Sequence, residues 1–233
     1  MAKEYYDVSY KTFFNARIKQ TVFQGKETWP LYVQVTYDRK TIFFKSYYFD
    51  LFAQPKYDFL GMSLFQVDEL ESQVTEFIIN WDVEKFSLDN FSRRYKMFSR
   101  DLLDSFDGPF KIWLGAYFKE KGWSGLAAVV EHSGDGVSAI QLWDDLKKCM
   151  EPGIFEKMEE KAARDGGPYL PLATYVRHKS PKGPFCLPLH EWSHQEKTIE
   201  IEDFIDERFW RVDMGRIIRM VGDLLHPKGY LNF

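Results

Sequence analysis

Residues 12–49 constrain the fold more than any other part of the chain, because two segments there alternate at period 2 and a third is rich in strand-forming residues. In "TFFNARIKQTV" (12–22), Phe14, Ala16 and Ile18 point one way, and Asn15, Arg17, Lys19 and Thr21 the other. In "LYVQVTY" (31–37), Leu31, Val33, Val35 and Tyr37 alternate with Tyr32, Gln34 and Thr36. "TIFFKSYYF" (41–49) is rich in β-branched and aromatic residues. The links are short: "FQGKET", where Gly25 is free to take φ > 0, and "DRK". Period-2 segments joined this closely predict a three-stranded antiparallel meander. One of its faces is apolar and needs a cover. The other presents Arg17, Lys19, Gln34, Thr36 and Lys45, and polar residues are also what a solvated sheet face carries.

The cover is read in "SLFQVDELESQVTEFIINW", where Leu64, Val67, Leu70, Val74, Phe77, Ile78 and Trp81 recur at helical spacing. Helices follow. "SLDNFSRRYKMFSRDLLDSF" sets Phe91, Tyr95, Phe98 and Leu102 on one stripe behind a Ser87 cap, and "GPFKIWLGAYFKEKG" is stopped by Gly122. "SAIQLWDDLKKCM", "PGIFEKMEEKAARDGG" and "DMGRIIRMVGDLL" are further helices, the last ending at His226-Pro227. Between them "PFCLPLHEW" and "KTIEIEDF" predict a short late β-hairpin around "SHQE", since "TIEIEDF" alternates at period 2. The expected fold class is therefore α+β: a sheet domain over residues 1–60 and a mostly helical domain over 61–233, with the seam near 52–62.

Charge divides along the same line. Residues 1–60 carry nine Lys/Arg against six Asp/Glu, net +3, and residues 61–233 carry 22 against 29, net −7. The chain as a whole, at net −4, is not built to be coated in nucleic acid, but its basic head leaves room for a local nucleic-acid surface. Aromatic residues reach 18%, enough to supply interface anchors as well as cores. That composition keeps open a second reading, a module that binds another protein. "MAKEYYDVSYK" lacks the apolar core of a signal peptide, and no apolar run is long enough to span a bilayer. Cys149 and Cys186 stand in no paired motif. The expectation is a cytoplasmic protein with no membrane partner and no cofactor.

One motif argues for chemistry. His190-Glu191-x-x-His194 in "LPLHEWSHQEK" has the spacing of zinc hydrolases. That chemistry needs one continuous helix, so that both imidazoles meet one metal and the glutamate reaches its bound water. "QEKTIEIEDF" behind it lacks a helical apolar stripe, so the match is read as coincidental and zinc hydrolysis is kept only as a distant alternative. "HSGDG" (132–136) reads as a turn rather than a phosphate cradle, and "RRYKMFSR" as a solvated helix face.

The order of three antiparallel strands and a helix, carried by "ARIKQTV", "LYVQVTYDRKTIFFKSYYF" and "DELESQVTEFIINW", resembles the N-terminal arm-DNA-binding domain of phage-type tyrosine recombinases (integrases) of mobile elements, over about residues 10–100. The resemblance implies that the sheet enters the major groove of double-stranded DNA. The contacts would then fall to Arg17, Lys19, Gln34, Thr36, Arg39, Lys40 and Lys45. The family's catalytic pattern is missing. None of His132, His178, His190, His194 or His226 begins an H-x-x-R, and Tyr230 has no accompanying arginine pair. The resemblance therefore implies a non-catalytic DNA-binding or accessory protein.

Overall fold

The structure is a computed structural model that describes residues 7–81, 86–181, 184–209 and 212–225. Its strands are β1 (Ser9–Phe14), β2 (Thr21–Phe23), β3 (Lys26–Thr28), β4 (Leu31–Tyr37) and β5 (Lys40–Lys45). β1, β4 and β5 form one antiparallel sheet with β4 in the centre, and β2 pairs with β3 alone. The register sets Thr12 opposite Val33 and Phe14 opposite Leu31, while Val33 faces Phe44 and Val35 faces Ile42. Leu31, Val33 and Val35 are almost fully buried, so the apolar face is the covered one. Tyr10, on the same face, donates to Glu76 at 2.6 Å.

The strand expected over 12–22 ends at Phe14 instead. Asn15 Oδ1 accepts the Arg17 amide at 3.1 Å, a side-chain turn that competes with strand pairing. The chain then leaves the sheet and returns at Leu31, with the Asn15 amide closing the excursion on Pro30 O at 3.0 Å. The β2–β3 hairpin sits within it, turning through Gln24 (φ 50) and Gly25 (φ 74). Phe23 stacks on Phe49 at 5.0 Å, and Gln24 Nε2 donates to Phe52 O and Tyr57 O. These contacts hold the hairpin away from the sheet.

Ser46 ends the third strand sooner than its aromatic run suggests. Its hydroxyl accepts the Phe49 amide and caps α1 (Tyr47–Phe52). A 3-10 helix, Pro55–Leu60, leads to α2 (Leu64–Trp81), which covers the sheet with Val67, Leu70, Val74 and Ile78 buried. α3 (Leu88–Phe98) begins at the expected cap, where Ser87 Oγ accepts the Asn90 amide at 3.2 Å. Compactness divides the chain after Arg100, into residues 1–100 and 101–233. The seam expected at 52–62 instead holds the end of α1 and the 3-10 helix, whose Phe52 and Tyr57 are core residues of the first unit.

Apart from an isolated bridge between Asp101 and Pro188, the regular structure described in the second unit is helical: α4 (Leu102–Glu120), α5 (Ser124–His132), α6 (Ala139–Cys149), α7 (Pro152–Asp165), α8 (Tyr169–Lys179), α9 (Leu189–Trp192), α10 (Gln195–Arg208) and α11 (Met214–Leu225). Its core includes Phe110, Leu114, Phe118, Tyr169 and Ile201. The late β-hairpin is not formed: the end of its first half is α9, Pro188 before it bridges to Asp101, and its second half lies in α10. The decisive pair is Ile201 of "TIEIEDF" and Ile205 just after it, buried at i,i+4, while Ile199, which made the pattern look alternating, is 47% exposed. Burial at helical spacing outweighs a three-residue alternation. Pro227 and Tyr230 lie outside the described residues.

Candidate nucleic-acid interface

Strand alternation places Lys11, Phe13, Tyr32, Gln34, Thr36, Thr41, Phe43 and Lys45 on the sheet face opposite the core. In register, Lys11 lies across from Gln34 and then Phe43, and Phe13 from Tyr32 and then Lys45. The three rings gather there. Phe13 lies 6.1 Å from Tyr32 and 6.3 Å from Phe43, centroid to centroid. Phe43 is 58% exposed, the most exposed of the three. The Lys11 ammonium sits 5.8 Å from the centre of the Phe13 ring, within reach of its negative face. Lys45 pairs with Asp50 at 2.5 Å, and Thr36 and Thr41 share a hydroxyl hydrogen bond of 3.0 Å.

The residues expected to contact DNA are brought together only in part. Gln34, Thr36 and Lys45 do share the open face. Arg17 and Lys19 do not belong to the sheet: both are exposed at the base of the excursion that follows Phe14. Arg39 occupies the β4–β5 turn. Lys40 opens β5 opposite Tyr37, out of phase with Gln34 and Lys45. The turn residues Asp38 and Arg39 have φ 47 and 60, the type I′ geometry whose second position favours glycine. Holding an arginine there costs roughly 1 kcal/mol of backbone strain.

Sequence reasoning missed Lys11, Phe13 and Phe43. The signal was present in "SYKTFF" (9–14), where reading the strand from Ser9 puts Lys11 and Phe13 in phase with each other. Starting it at Thr12 and running it past Asn15 instead drew attention to Arg17 and Lys19.

The "HEWSH" residues are helical, yet not in one helix. His190 is buried within the four residues of α9, whereas His194 is exposed and forms the N-cap of α10. The break at Ser193 removes the shared face that i,i+4 spacing supplies. Glu191 lies 3.7 Å from Lys197, which lies 3.4 Å from Glu200. Among the described residues no group of three or more His, Cys, Asp or Glu is placed to hold a metal ion. The "HSGDG" turn is fixed by Lys111, which donates to the carbonyls of Gly134 and Val137 and pairs with the buried Asp107 at 2.9 Å.

A cleft of about 310 Å³ in the second unit is lined by Glu159, Glu160, Arg164, Thr174, Arg208 and Phe209. Arg164 is engaged by Asp165 at 3.0 Å, and the Thr174 hydroxyl donates to the Leu170 carbonyl at 2.8 Å. Among the described residues no helix is long and apolar enough to cross a membrane. Comparison with protein-family models, with curated proteins and with solved structures finds no match.

Proposed function

We propose that the chain is a non-catalytic DNA-binding protein whose contact surface is the open face of the β1–β4–β5 sheet. One observation carries this reading: three rings and Lys11 share a face whose opposite side is sealed in the core. Arg39 stands in the hairpin at one end of the sheet, and the exposed Arg17 and Lys19 follow the end of β1, off the sheet. Residues 1–60 are net +3 against −7 for the rest, so an anionic ligand is drawn to this end of the chain. The order of strands and helix also supports the integrase-like reading, in which a module of this kind positions DNA for another protein. A protein partner is the competing reading, favoured by the exposure of Phe43.

The strained Arg39 gives a test that separates function from fold. Arg39→Gly should raise stability by roughly 1 kcal/mol, because glycine accepts φ 60 freely. The same change should weaken DNA binding and make the dependence of log Kd on log salt shallower by about one phosphate contact. Urea unfolding and fluorescence anisotropy at two salt concentrations read the two effects. A stabilised variant with unchanged affinity would remove Arg39 from the interface, and absence of binding to any DNA at low salt would remove the function.

A further inference from the structure

We infer that the open sheet face takes single-stranded rather than fully paired nucleic acid, with bases stacking on Phe13, Tyr32 and Phe43. This rests on the nucleic-acid reading above and replaces the double-stranded ligand that the integrase resemblance implies. The three rings come from three different strands, so the cluster crosses the whole sheet. Phe43 is 58% exposed on the edge strand β5, and Phe13 and Tyr32 are half-buried beside it.

A duplex offers such a surface little. Its base faces are stacked inside the helix, and only their edges and the phosphates reach the grooves. An unpaired strand presents base faces and phosphates together, which a cluster of rings bordered by cations can engage at once. Lys11 stands where a phosphate between stacked bases would pass, 5.8 Å from the Phe13 ring centre. Gln34, opposite both Lys11 and Phe43, adds an amide that can donate to and accept from a base edge. The charge of this face distinguishes a nucleic-acid strand from a neutral apolar partner. Lys11 lies among the rings and Arg39 is in the turn at one end of the sheet, while Lys45, at the other end, is held by Asp50.

The test uses the full chain with a fluorescein-labelled dodecamer of thymidine and a blunt mixed-sequence duplex of equal length, at low and physiological salt. Wild type should bind the single strand more tightly than the duplex. Phe43→Ala should weaken single-strand binding by at least about fivefold, while Phe43→Tyr, which keeps the ring, stays within about twofold of wild type. Phe43 is exposed, so its loss should leave the circular dichroism spectrum and unfolding midpoint near those of wild type. Tighter binding to the duplex, with Phe43→Ala unchanged, would overturn the single-strand inference and leave DNA binding standing. No binding of either oligonucleotide at low salt would overturn both.

Discussion

Glu71 is fully buried, and its carboxylate gathers three donors from two other parts of the first unit. Oε1 accepts from Ser46 Oγ at 2.5 Å and the Tyr48 amide at 3.1 Å, and Oε2 accepts from Tyr95 at 2.7 Å. Tyr95 in turn accepts the Tyr47 amide at 3.0 Å. One residue thus joins α1, α2 and α3 behind the sheet, and its burial pushes the carboxyl up to about 7 against the pull of those donors. Asp101 plays a similar part in the second unit. It caps α4 through the Asp104 amide and holds the Leu187 amide at 2.7 Å, and burial raises it to about 7 as well. A carboxyl raised on folding binds more protons in the folded state. Its contribution is complete below the unfolded value near 4 and is lost as pH climbs through about 7. Urea unfolding should therefore show greater stability at pH 5 than at pH 8, by on the order of 2 kcal/mol for each carboxyl. In Glu71→Gln/Asp101→Asn most of that difference should vanish. An undiminished difference in the double variant would assign the pH dependence to other groups.

At the scale of elements, what was legible in the sequence had a local physical cause. β4 and β5 follow from alternation, and the start of α3 from the Ser87 hydroxyl. α2 follows from Val67, Leu70, Val74 and Ile78 at helical spacing. What was illegible depended on contacts distant in sequence. The end of β1 is decided by Asn15 turning back on Arg17, and the side hairpin by Gln24 bonding carbonyls 28 and 33 residues ahead. α4 runs through Pro109, and its N-cap Asp101 also accepts the amide of Leu187, 86 residues away. The candidate site was half legible for the same reason: Gln34, Thr36 and Lys45 follow from strand phase, whereas Arg17 and Lys19 were misplaced once the end of β1 was missed. Long-range polar contacts also predict fragility. Lys111, partly buried, pairs with the buried Asp107 at 2.9 Å, and Asp107 also holds the Ala139 amide at 2.7 Å. Lys111→Ala strands a buried carboxylate and frees the 134–137 turn, so the second unit should lose about 3–5 kcal/mol in chemical denaturation. A loss below about 1 kcal/mol would mean that water replaces the ammonium without penalty.

The whole molecule joins two compact units that differ in make-up, a sheet with one bare face in residues 1–100 and a helical unit in 101–233. The proposed ligand contact falls on the first, where the three rings and Lys11 coincide. Amide chemical-shift mapping tests that assignment residue by residue, using the isotopically labelled full chain titrated with a single-stranded oligonucleotide. Shifts should concentrate at Lys11, Phe13, Tyr32, Gln34, Arg39 and Phe43, with Val67, Val74 and Ile78 on the covering helix nearly still. Shifts confined to residues 101–233, or spread evenly with none larger on the open sheet face, would contradict it.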